Sequence, residues 1–209
     1  MEKLDRLTVS EGVRIFPGLI DAPAQKVLIG EVAALFVQSP LYRPVMPGSG
    51  TPFRVEQTCF GPLGWVSDRS GYRYQPYHPV TGQEWATIPP ALLTLWNELT
   101  GYPAPPECCL VNFYRGDQAK MGLHQDRDEP ALDAPVLSLS LGDSALFRLG
   151  GSTRKGPTRS FRLNSGDGLI FGGPARLSFH GIDRLYPDTS RLIDGGGRIN
   201  LTLRRVTRP

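Results

Sequence analysis

The stretch GLHQDRDEP, residues 122 to 130, places a histidine and two aspartates at alternate positions: His124, Asp126 and Asp128. On an extended strand, residues i and i+2 point to one side and lie roughly 6.8 Å apart along the chain. That separation lets an imidazole and a carboxylate converge on a single ion. The chain has only three histidines, and His180, in RLSFHGI and 54 residues after Asp126, is the natural third ligand. Two imidazoles and one carboxylate on one face of an octahedron leave three positions open, the arrangement of non-haem Fe(II) oxygenases. Taken alone, the same residues also read as caps or hydrogen-bonded core side chains. The remaining histidine, His78 in YHPV, reads as a loop or surface residue.

A second group of residues lies in RINLTLRR. Here Arg198, Asn200, Thr202 and Arg204 alternate with Ile199, Leu201 and Leu203. If that polar face looks into a barrel, its two arginines need anions, because a buried charge without a partner is strongly disfavoured. A dicarboxylate co-substrate would supply one, through a pairing that can be bidentate. Asn112 and Tyr114, in LVNFYR, share a face by the same period of two and offer further hydrogen bonds. The alternative is an edge strand whose arginines face water.

The elements that must hold these residues are short. Gly 24 and Pro 20 in 209 residues favour many strands and turns over long helices. Two helices are readable. One follows Asp21 and Pro23, an N-cap and an early helical proline, and runs through about Gln38. The other runs from Pro89 or Pro90 through ALLTLWNELT to Gly101, a C-cap glycine. Residues 44 to 88 read as hairpins and loops. From Cys108 onward the text becomes strands: CCLVNFYR, VLSLSLG, ALFRLG, RSFRLN, GLIFGG and RINLTLRR. Short strands at this density after two helices predict a mostly β, α+β fold: a jelly roll with helices packed outside.

Composition limits the rest. No apolar run approaches the roughly 18 residues of a membrane span. The opening MEKLDRLTVSEGVRIF is charged and lacks an apolar stretch, so neither a signal peptide nor a membrane partner is expected. Cys59, Cys108 and Cys109 form no pairing framework and read as apolar filler, which fits a reducing cytoplasm. The net charge of +3 is unevenly spread: residues 148 to 209 hold twelve basic and four acidic side chains. Such a region could face a polyanion; an ordinary arginine-rich loop surface is the alternative.

In order along the chain, N-x-Y-x-x-G, H-x-D-x-D-E-P, a distant H-G-I and a terminal R-x-N-x-T-x-R resemble the AlkB family of Fe(II)/2-oxoglutarate-dependent dealkylases. The likeness runs from about residue 40 to 205 and includes LGW and GYRY. It implies a double-stranded β-helix with N-terminal helices and a nucleotide-recognition lid. As a single domain, about 1–106 would form extension, helices and lid, and about 107–209 the jelly-roll core. It further implies that His124, Asp126 and His180 hold iron. Asn112, Tyr114, Arg198, Asn200, Thr202 and Arg204 would hold 2-oxoglutarate, with Arg198 on the distal carboxylate and Arg204 near the chelating end. With O2 as the other co-substrate, the implied reaction is oxidative removal of alkyl groups from 1-methyladenine and 3-methylcytosine in single-stranded DNA, releasing aldehyde, succinate and CO2. Trp65 matches the residue that sandwiches the base against His124, and Tyr72 and Tyr74 match contacts to the strand. Asp128 matches a contact to the edge of the alkylated base, and Arg154 a basic loop residue near the nucleic acid. A monomer is expected.

Seven of the nineteen aromatic residues fall between Phe53 and Trp85, which suits a site that grips an extruded base. Departures from the family pattern lie around that pocket. One extra residue separates Asn112 from His124, Phe171 stands for a tryptophan, Gln57 stands for a methionine, and Gly195 to Gly197 loosen the approach to the last strand. They bear on substrate range. Methylated RNA, including tRNA, is the nearest alternative substrate. A non-catalytic nucleic-acid-binding module and a protein or small-molecule hydroxylase are alternatives of other classes.

Overall fold

Asp21 starts the first helix as its sequence requires: its Oδ1 accepts from the Ala24 amide at 2.9 Å. The computed structural model describes residues 7–116 and 118–209. The first six residues, part of the charged opening stretch, and Asp117, between Asn112 and His124, lie outside the described residues. Helix α1 spans Ala22–Leu35 and α2 spans Pro90–Thr100. The first ends three residues before Gln38. Phe36, Val37 and Gln38 tighten into i→i−3 bonds instead, because Pro40 disfavours helical backbone just ahead of it. Gly101 closes α2 at φ 63°, a conformation that only glycine adopts without strain.

The strands are β1 (Leu7–Ser10), β2 (Val13–Phe16), β3 (Glu56–Phe60), β4 (Gly64–Asp68), β5 (Gly71–Gln75) and β6 (Cys108–Tyr114). They continue with β7 (Met121–His124), β8 (Val136–Gly142), β9 (Ser144–Leu149), β10 (Arg159–Leu163), β11 (Gly168–Phe171), β12 (His180–Tyr186) and β13 (Arg198–Arg204). Seven form one sheet in the order β1-β2-β11-β8-β13-β6-β3, four form another in the order β10-β9-β12-β7, and β4 and β5 form a hairpin. Every pairing between these strands is antiparallel. The result is the expected jelly roll. Its large sheet also takes in β1 to β3 from the N-terminal half, so it is continuous across residue 106.

Period-two patterning decides which side of the large sheet is dry. Val111, Phe113, Leu139, Leu141, Ile199 and Leu201 pack with Leu28, Val32, Leu92 and Trp96 of the helices. The alternate residues point between the sheets, where Phe147, Leu149, Phe171 and Ile182 meet Tyr114 and Val136 in a second core. A third cluster, with Cys59, Cys108, Val66 and Trp85, seats the β4–β5 hairpin. Strand β13 is therefore no edge. It lies between β8 and β6, with all seven residues buried.

Two local readings change. His78 is no surface histidine but is 1 % exposed. Its Nε2 bonds the Pro40 carbonyl at 2.8 Å, and its Nδ1 accepts from the Val80 and Thr81 amides. Burial pulls its pKa below the ordinary histidine value, so it pins that loop as a neutral ring. The Gly195–Gly197 run is tied rather than loose. Asp143 is buried and accepts from Gly197 at 2.9 Å and from Thr189 and Ser190 at 3.1 Å. The three glycines have φ of 77°, 75° and 102°, which permits the tight entry that seats Arg198. Among the described residues, no helix is long and apolar enough to cross a membrane.

Candidate metal centre and its cavity

Between the two sheets lies a cavity of about 560 Å³. His124 ends β7 and His180 begins β12, and the two strands pair with these residues opposite each other. Asp126 lies just past the end of β7, in irregular backbone, so the strand rule that suggested its spacing does not hold it there. Ligand atoms of His124, Asp126 and His180 all fall within 4.8 Å of one another. The two Nε2 atoms stand 3.8 and 3.9 Å from the Asp126 carboxylate.

Backbone carbonyls set the ring tautomers. His124 Nδ1 lies 2.9 Å from the Gly122 carbonyl, and His180 Nδ1 lies 3.0 Å from that of Ser178. A carbonyl only accepts, so each Nδ1 carries the proton and each Nε2 offers its lone pair to a cation. Burial, reinforced by neighbouring His124, pushes the His180 pKa down to about 4. That ring packs against Phe171 and Phe147, with centroids 4.8 and 5.9 Å away, and stays neutral and able to ligate at neutral pH.

Asp126 is 7 % exposed. Burial alone would raise its pKa. The opposing pull of Arg204, then of His180, His124 and Arg176, holds it well below the usual carboxylate range. Arg204 grips the carboxylate through Nη2 at 2.8 Å and Nε at 3.2 Å. Arg176, in the turn after β11, donates to the Asp126 backbone carbonyl at 2.5 Å and to Ala134 at 2.8 Å. Its Nη2 meets Glu129 Oε2 at 3.0 Å, and Glu129 Oε1 accepts from the Tyr74 hydroxyl. Two buried guanidiniums thus balance two buried carboxylates, as a low-dielectric interior demands.

Arg198 has no such balance. It is 1 % exposed and lies over the Tyr114 ring at 5.2 Å. Its Nη2 donates to Ser140 Oγ at 2.8 Å, while Nε and Nη1 have no partner. A buried cation in the cavity wall with two unbonded donors fits a carboxylate ligand. Asn200 and Thr202 line the same wall: the Asn200 amide donates to Ser138 Oγ at 2.7 Å and accepts from Thr202. Asn112 accepts from Gln57 at 2.6 Å.

The mouth is aromatic and charged. Trp65 stacks on Tyr72 with centroids 5.3 Å apart, and its Nε1 donates to Asp128 Oδ2 at 2.8 Å. Arg154 also lines the cavity, with its guanidinium 5.8 Å from the Phe179 ring. Tyr74 is not among the lining residues; its hydroxyl points to Glu129 and Arg204. Glu129, Arg176, Ser138 and Ser140 join the site without a motif in the sequence that marks their part in it. The acid in DRDEP was the only hint of the first. Nothing near Arg176 in the sequence marks it, because its partners lie about fifty residues away.

A jelly roll whose interior offers two imidazoles and a carboxylate to one cation, beside a buried arginine lacking an anion, defines a 2-oxoglutarate-dependent non-haem iron oxygenase. Residues 12–204 match the model of the 2OG-Fe(II) oxygenase superfamily. A Caulobacter vibrioides protein named as an alpha-ketoglutarate-dependent dioxygenase AlkB homolog is 55 % identical over 202 residues, covering 96 % of this chain and 90 % of that protein. The Escherichia coli alpha-ketoglutarate-dependent dioxygenase AlkB is 40 % identical over 188 residues, covering 88 % and 85 %. The solved structure of OsALKBH1 superposes with a TM-score of 0.83 at 29 % identity, covering 96 % of this chain and all of that one. The chain belongs to the AlkB family of that superfamily and is a dioxygenase using Fe(II), 2-oxoglutarate and O2.

Proposed function

We propose that this dioxygenase removes alkyl groups from N-alkylated bases of the 1-methyladenine and 3-methylcytosine type in single-stranded DNA. Bound iron, 2-oxoglutarate and O2 supply oxidation of the N-alkyl carbon, after which the alkyl group leaves as an aldehyde. The single domain contributes binding, orientation and charge. His124, Asp126 and His180 hold the metal through Nε2, carboxylate and Nε2. Arg198 takes the distal carboxylate of 2-oxoglutarate on its free donors, with Tyr114 beneath it. Asn112, Asn200 and Thr202 line the path between, and Arg204 holds Asp126 in place beside the chelating end.

The observation that carries the substrate reading is the stacked Trp65–Tyr72 pair over the metal-side cavity, with the Asp128 carboxylate bound to the same indole. A base that has left its stack recovers roughly 1–3 kcal/mol on such a platform. Alkylation at 1-methyladenine or 3-methylcytosine makes the base cationic, and a carboxylate at the mouth favours that charge. Tyr72 and Arg154 meet the flanking strand, whereas Tyr74 supports the site through Glu129.

Incubation with Fe(II), 2-oxoglutarate, ascorbate and methylated DNA and RNA oligonucleotides tests the reading by mass. Loss of one methyl from a DNA strand supports it. Loss from RNA alone moves the substrate class. Succinate without any mass loss overturns it in favour of a protein or small-molecule hydroxylase.

A further inference from the structure

Gln57 is a polar residue of the cavity wall whose chemistry is unspent. Gln57 on β3 lies directly opposite Asn112 on β6, which lies opposite Asn200 on β13, itself opposite Ser140 on β8. A polar row thus crosses four strands, and Gln57, Asn112 and Asn200 of it line the cavity. Both backbone groups of Gln57 are used by a bridge to Tyr42, at 2.8 and 2.9 Å. The side chain is 2 % exposed, and its Nε2 donates to Asn112 Oδ1 at 2.6 Å. Its Oε1 is buried without a hydrogen-bond partner.

Two facing amides can share a hydrogen bond in either sense, and the co-substrate decides which. At neutral pH 2-oxoglutarate carries only acceptors, so Asn112 serves it only by presenting its NH2 group. Asn112 Oδ1 must then turn toward β3, and Gln57 must be the donor. What remains on Gln57 is the carbonyl oxygen. That acceptor is buried in the cavity wall, and the co-substrate cannot satisfy it.

We infer that Gln57 is a specificity-determining residue whose Oε1 accepts an N–H from the exocyclic amino group of the substrate base. The inference rests on the dealkylase reading above. Bases of the cytosine and adenine type carry an amino group beside the alkylated ring nitrogen. Bases of the thymine and guanine type carry a carbonyl there, which would set oxygen against oxygen. An amino group has two N–H bonds, enough for Asp128 and Gln57 together. A site that holds a polar group rejects the ligand that leaves it unpaired.

Two strands identical except for a single 3-methylcytosine or 3-methylthymine test the inference. Gln57→Met keeps the length of the side chain and removes both the acceptor and the donor to Asn112, so both strands are compared at saturating 2-oxoglutarate; Gln57→Leu serves as a second apolar variant if the first fails to fold. The wild-type preference for 3-methylcytosine, as a ratio of kcat/KM, should narrow about tenfold, with the loss falling on 3-methylcytosine. Gln57→Glu keeps an acceptor and loses the donor to Asn112. It should retain the preference while weakening 2-oxoglutarate binding to the Mn(II)-loaded protein, read by calorimetry. An unchanged ratio, or equal losses on both strands, overturns the role of Gln57 and leaves the dealkylase reading intact. A wild-type enzyme inactive on both strands overturns that reading instead, and with it the base edge as the partner of Gln57.

Discussion

A guanidinium buried with two nitrogens unbonded opposes folding, and Arg198 is held in that state by the tight glycine turn and by Tyr114. Function and stability therefore pull in opposite directions at this residue. Hydrogen bonds to a charged partner are worth about 1.5–3 kcal/mol each, so two of them account for about a hundredfold to ten-thousandfold in affinity. Arg198→Met should raise the KM for 2-oxoglutarate by a factor in that range. The same variant should melt no earlier than wild type, because it removes an unpaired buried charge. Calorimetric unfolding with and without 2-oxoglutarate checks both parts; a variant that melts several degrees earlier would show that Arg198 serves the fold.

At the scale of elements, the metal ligand on irregular backbone is the point of interest. His124 and His180 are placed by strand pairing, whereas Asp126 has no ladder to hold it. Arg204 from β13 takes its carboxylate and Arg176 from the turn after β11 takes its carbonyl, with Glu129 facing both arginines. Breaking a buried pair from one side costs about 3–5 kcal/mol. Arg176→Met should lower stability by up to that amount in denaturant titration, since it leaves Glu129 with only Arg204 and the Tyr74 hydroxyl. Adding Glu129→Leu should recover part of the loss while activity stays low, because Asp126 still lacks its backbone anchor. Full recovery of activity in the double variant would assign the pair to the fold alone.

Across the whole molecule, charge is divided by position along the chain. The last third carries twelve basic residues against four acidic ones. Some of that charge is internal: Arg176, Arg198 and Arg204 are buried at the site, and Arg148 pairs with Asp183. Among the other eight, Arg154 lies at the cavity mouth and Lys155, Arg159 and Arg162 are exposed near it in sequence. If they meet phosphates, affinity for a methylated single strand should fall linearly on a log–log plot against salt, with a slope of about −0.7 per contact. Arg154→Ala should reduce the slope by about that step; an unchanged slope would place Arg154 away from the backbone.

Local text was enough for the β-rich plan, both helix caps and the alternation of the last strand, though not the side its polar face takes, because period-two alternation and capping chemistry are written within a few residues. Ordered motifs were enough to bring His124, Asp126 and His180 together as one ligand set. The strands β1, β2, β7 and β12 were not read, since each is short or lies beside a turn that interrupts its pattern. Tertiary structure alone decided that His78 is buried, that Tyr74 supports Glu129, that Arg176 anchors Asp126, and that Gln57 keeps a free acceptor. Each of these depends on hydrogen-bond partners distant in sequence, and the direction in which a buried polar group is satisfied is a property of packing.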